Sequence, residues 1–147
     1  MKLFDGLLQK VLTVRAKLQR NAGVLAHLDA LSGLAVLART RGYVRPTVVE
    51  EPVLEIEEGR HPVLDLTEAS GTFVPNDAYC DEKRGMIHLI TGPNMAGKST
   101  FIRQVALLVI MTQIGSFIPV RKATIGIADR IFARVGASDE LTRGQST

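Results

Sequence analysis

One stretch restricts the fold more than any other. Gly92-Pro93-Asn94-Met95-Ala96-Gly97-Lys98-Ser99 fits the spacing glycine, four residues, glycine, lysine, serine or threonine. A loop of this kind must bend tightly, so that successive backbone N–H groups point inward and form a nest for phosphate oxygens. Gly92 and Gly97 permit that bend and a close approach that a side chain would obstruct. Lys98 supplies a mobile cation for β- and γ-phosphates, and the Ser99 hydroxyl is placed to ligate Mg²⁺. A helix starting here aims its positive end at the same anion. The flanks suit the motif. Met86 to Thr91 is a short, mostly apolar run ending at a glycine, which predicts a strand buried on both faces. Lys98 to about Ile114 predicts a helix with Phe101, Ile102, Val105, Leu108, Val109 and Ile110 pointing in nearly every direction, so other protein must cover it.

Upstream the pattern changes twice. Residues 1–41 hold no proline and repeat apolar positions every seven residues. One row is Phe4, Val11, Leu18, Leu25 and Ser32, and the other is Leu7, Val14, Asn21, Leu28 and Ala35, with eight of the ten apolar. A stripe that narrow marks a long helix lying along another helix, either as a helix pair on a domain core or as a strut between domains. Gly6, Gly23 and Gly33 each weaken it by about 1 kcal/mol, so a break near Gly33 is one expectation. Gly42 and Pro46 close this part. Short strand-like runs follow at Thr47–Val49, Val53–Ile56, Val63–Leu66 and Thr72–Val74, and again at Ala123–Ile125 and Ile131–Arg134. Glu50, Glu51, Glu55, Glu57 and Glu58 read as a charged, solvated sheet edge that resists edge-to-edge pairing. His61, between Arg60 and Pro62, reads as a turn residue without chemistry.

Composition removes several classes. Hydrophobic residues at 46% and charged residues at 22% provide enough apolar surface to offset chain entropy, against disorder over most of the length. A single cysteine, Cys80, allows neither an internal disulfide nor a cysteine-based zinc site. Lysine and arginine are scattered, so a net charge of +3 hints only weakly at anionic partners. The longest uninterrupted apolar run, Val105 to Met111, is far short of the roughly 20 residues that span a bilayer. A soluble, cytoplasmic protein without a membrane partner is the expectation.

A phosphate-gripping loop alone hydrolyses nothing, because phosphoryl transfer also needs an acidic residue on Mg²⁺ and a group that orients water. After Lys98 the carboxylates are Asp129, Asp139 and Glu140. Asp129 follows a poor imitation of an apolar strand, while Asp139 and Glu140 read as loop or helix-start residues. The chain is therefore expected to stop before the acidic strand, and to carry a nucleotide half-site that is inactive by itself.

Thr91 to Leu108, TGPNMAGKSTFIRQVALL, resembles the phosphate loop and following helix of the MutS family of DNA mismatch recognition ATPases. GYVRP (Gly42–Pro46), EGRHPV (Glu58–Val63), FVPND (Phe73–Asp77), GSFIPV (Gly115–Val120) and DRIFARVGASDEL (Asp129–Leu141) resemble stretches of that family in the same order. The resemblance implies an α/β fold: residues 42–147 as the first part of an ABC-type P-loop ATPase domain with short strands, and residues 1–41 as the end of a helical lever. It implies ATP and Mg²⁺ as cofactors, held by Gly92, Pro93, Asn94, Met95, Ala96, Gly97, Lys98, Ser99 and Thr100, with Ser99 on the metal. It further implies that Phe73 stacks on adenine beside Val74, and that Ser146, in the closing GQST, reaches the nucleotide of the opposite subunit of a homodimer. Mismatched duplex DNA, bound through domains absent from this chain, and downstream mismatch repair proteins are the implied partners. Two other readings stand beside it: part of another ABC-type ATPase of chromosome maintenance, and a non-catalytic helical or dimerisation module.

Overall fold

The computed structural model describes residues 2–67, 73–93 and 96–133. Helix α1 runs unbroken from Lys2 to Arg41 and is 40 residues long, about 60 Å at the usual rise. It does not break at Gly33, because a single glycine costs only about 1 kcal/mol. It stops where Gly42 turns left-handed, at φ 63°, and the Tyr43 amide bonds back to the Ala38 carbonyl at 3.0 Å. Asp5 at the start and Arg39 and Arg41 at the end complement the helix dipole.

The rest is a four-stranded sheet with one helix across it. Strands β1 (Thr47–Val49), β2 (Leu54–Gly59), β3 (Asn76–Cys80) and β4 (Lys122–Gly126) lie in the order β1-β4-β2-β3. Only β1–β4 is parallel, while β4–β2 and β2–β3 are antiparallel. Alternation sets the faces. Ile56, Ala78, Ala123 and Ile125 point inward and form the core with Leu108 of helix α3 (Lys98–Gln113) and with Ile118 and Val120 of the segment leading to β4. Each large aliphatic side chain buried there contributes about 1.5–3 kcal/mol.

Several expectations are corrected. Glu55, Glu57 and Glu58 are not on a sheet edge, since β2 lies between β4 and β3, while Glu50 and Glu51 lie just past the edge strand β1. Glu57 and Glu58 instead bind Arg121, at 2.6 and 2.9 Å, and Glu55 lies 3.3 Å from Arg84. Val63–Leu66 is not a strand: Leu64–Thr67 forms the short helix α2, because His61 caps its start. Phe73–Val74 precedes the sheet, which opens only at Asn76, after Pro75 with its missing donor; Thr72 lies outside the described residues. Ile131–Ala133 pairs with nothing described, and Arg134 lies outside. Met86 is a bend and Ile87–Thr91 has no ladder partner among the described residues, leaving Ile87 and Leu89 each 90% exposed. A strand exists through its neighbours, and no described strand lies beside this one. Helix α3 likewise buries one face, at Gln104, Leu108 and Thr112, and leaves Ile102 and Ile110 exposed.

Among the described residues helix α1 meets the body over its last turns, near Tyr43 and Phe117, and its apolar stripe from Leu3 to Leu31 is exposed. Among the described residues it is the one helix long and apolar enough, by length and composition, to cross a membrane. No uninterrupted apolar run foreshadowed this, because alanines and glycines carry the average between the striped positions. Asp29 and His27 lie in its most apolar half, and a buried aspartate at bilayer depth costs about 3 kcal/mol.

Candidate functional site

Gly97 caps α3 in the left-handed conformation, φ 85° and ψ 3°, and no side chain caps the helix. The first bond in the helix ladder runs from the Phe101 amide to the Gly97 carbonyl at 2.9 Å. The amides of Lys98, Ser99 and Thr100 therefore have no partner within the helix, as at any helix start. Gly92, before the loop, has a φ of 150°, a conformation that favours glycine. The half-buried Lys98 side chain folds back over it, its Nζ donating to the Gly92 and Pro93 carbonyls, the latter at 3.0 Å. The turn thus presents an ammonium group and amides without a partner inside the helix in one place, which is what an anion requires.

A cleft of about 410 Å³ adjoins this turn, lined by Leu64, Phe73, Val74, Asn76, Ile90, Thr91, Ala96, Gly97, Lys98, Thr100 and Phe101. It brings Phe73 and Val74 against Ala96, Gly97, Lys98 and Thr100, across more than twenty residues of sequence. It has an aromatic and aliphatic end and a cationic end, and its size falls within the range of small-ligand sites. Gly92 and Pro93 meet it through the Lys98 ammonium group, while Ser99 sits exposed on the first turn of α3. Asn94, Met95 and Ser146 lie outside the described residues. No carboxylate is among the described residues of the wall. Asp129 lies exposed beyond β4, and Asp139 and Glu140 lie outside the description.

Sequence reasoning passed over Asn76 and Gln104. Asn76 stands in the FVPND block, and Gln104 is a polar residue on the one buried face of α3, two places where an amide invites the question of what it bonds.

His61 has a role as a cap. It is buried, and its Nδ1 accepts from the Val63 and Leu64 amides at 3.3 and 3.4 Å, starting the helix that carries Leu64 to the cleft. Burial, and then the nearby Arg103 guanidinium, hold its pKa below the ordinary imidazole value. The unfolded chain therefore takes up the proton first. The capping contribution is complete above a pH of about 6.5 and is lost as pH falls below it. Thermal melts of the wild type should show this loss between pH 7 and 5. His61→Asn, which keeps an acceptor but no titration, should flatten it, and an unchanged profile in that variant would exclude His61 as its source.

Three relatives decide the family. A DNA mismatch repair protein MutS of Desulforamulus reducens is 54% identical over 145 residues, which is 99% of this chain. That of Rhodopirellula baltica is 61% identical over 132 residues, 90% of the chain, and that of Nitratidesulfovibrio vulgaris 53% over 146 residues, 99% of the chain. The chain belongs to the MutS family. Residues 88–147 also match the family profile described as MutS domain V, which includes the Gly92–Ser99 loop and α3. The chain spans only 17%, 15% and 16% of the lengths of these three relatives.

Proposed function

We propose that the cleft binds Mg-ATP, with the adenine against Phe73 and Val74 and the triphosphate on the Gly92–Thr100 turn. The observation that carries this reading is the shared wall: an aromatic segment and a glycine-lysine turn, distant in sequence, line one cleft of about 410 Å³. Lys98 trades its two carbonyl partners for phosphate oxygens, and the amides at the start of α3 supply further donors. The Ser99 hydroxyl is a hard oxygen donor of the kind magnesium prefers, and the phosphates themselves supply others. Bound there, the ion neutralises phosphate charge. The wall holds no described group able to activate water, so the chain by itself is read as a binding half-site.

In the protein at its full length, this half-site would join a second copy, whose Ser146 loop reaches the nucleotide, in a homodimer acting on mismatched duplex DNA. Downstream mismatch repair proteins are its further partners. The support for this part is family membership and the printed name of the relatives. The exposed stripe of α1, including Leu7, Val11, Leu18, Leu25 and Leu28, supports a lever that packs on the remaining polypeptide. Phe73→Ala tests the purine end: Mg-ATP affinity should fall about tenfold, the worth of one stacked base, while inorganic tripolyphosphate affinity holds. Equal affinities of variant and wild type for ATP would remove Phe73 from the site.

A further inference from the structure

Gln104 is fully buried on the face of α3 that packs on the sheet, in the row that continues through Leu108 and Thr112. A buried amide without partners would be costly. This one is held at both ends. Its Nε2 donates to the Gly59 carbonyl at 2.9 Å, and its Oε1 accepts from Asn76 Nδ2 at 3.4 Å. Asn76 Nδ2 also donates to the Val74 carbonyl at 3.1 Å. Gly59 and Asn76 are cross-strand partners just past the register shift between β2 and β3. Gly59 leaves the amide its space, since a Cβ there would stand 2.9 Å from Gln104 Nε2. A chain of amides thus runs from the helix that carries Lys98 to the backbone that carries Phe73 and Val74.

We propose that Gln104 is a positioning residue that fixes the distance between the purine wall and the phosphate turn, through Asn76 and the Val74 carbonyl. The proposal rests on the Mg-ATP reading. Gln104 is not part of the cleft wall, so it acts on a ligand only through its partners. A side chain of similar volume without the amide would keep α3 packed but release the Asn76–Val74 end.

The test is a pair of titrations on the protein at its full length, with Mg-ATP and with Mg-tripolyphosphate, for wild type and Gln104→Met. The expected result is an ATP affinity lower by about tenfold and a tripolyphosphate affinity within about twofold of wild type. Gln104→Asn, which keeps an amide but shortens its reach, gives the same readout if the methionine variant does not fold. In the double variant with Asn76→Ser, the ATP loss should not exceed that of the larger single change, because both act through one relay. Equal losses for both ligands, no loss for either, or additive losses in the double variant would overturn the proposal. A wild type that holds tripolyphosphate but not ATP would instead sink the purine reading beneath it.

Discussion

Lys98→Ala is expected to lower Mg-ATP affinity by about 100-fold, equivalent to roughly 3 kcal/mol. The ammonium group lies at the cationic end of the cleft, tethered among the described residues to the Gly92 and Pro93 carbonyls, and can turn to a phosphate without moving the backbone. Alanine removes a charge-assisted contact and leaves the φ 85° turn at Gly97 in place. The fold should therefore survive, with a melting temperature close to wild type. Neutralising Glu55, Glu57 or Glu58 is the contrast. Their pairs with Arg84 and Arg121 are on the surface, worth about 0–1 kcal/mol each, and none of the three lines the cleft. Equal losses of ATP affinity from Lys98→Ala and from these glutamate variants would place the anion site elsewhere.

Gly126→Ala should produce the largest loss of stability, about 3 kcal/mol or more, with a fall in melting temperature of about 10 °C. Gly126 ends β4, with its amide on the Val53 carbonyl at 2.7 Å. A Cβ there would run into the Glu51 carbonyl and stand 3.1 Å from the Val53 nitrogen. Both are backbone atoms, so relief would require the β1–β2 connection to move. The cause is steric, since the backbone at Gly126 is not left-handed. Gly33→Ala makes the opposite case: it lies within α1, a Cβ meets nothing within 4 Å, and alanine should stabilise by about 0.5–1 kcal/mol. Urea melts of the two variants compare them directly, and a neutral Gly126→Ala would mean that this crossing is looser than described.

Local rules reached those parts of the fold that local rules determine. Helix α1 follows from a seven-residue stripe without proline, and its end from Gly42. Helix α3 follows from the glycine-lysine turn and the apolar residues after it, and β1 and β4 from short β-branched runs. What failed depended on neighbours. Glu55 and Glu57 look like an edge until β4 and β3 are found on either side of β2. Val63–Leu66 looks like a strand until His61 is seen to cap it. Met86–Thr91 has the composition of an inner strand, but composition cannot supply the ladder that makes one. At the site, Lys98 follows from the spacing of its motif, and Phe73 only from the family resemblance. The amide of Gln104 follows from neither, because its meaning lies in Gly59 and Asn76, 45 and 28 residues away.

The central claim is that one cleft grips a purine triphosphate at both ends. Calorimetric titration of Mg-ATP into the wild-type protein at its full length tests it most directly. Saturable binding at one site per chain, displaced by tripolyphosphate and largely abolished in Lys98→Ala, is the expected result. Binding that is absent, or that persists unchanged without Lys98, would contradict it.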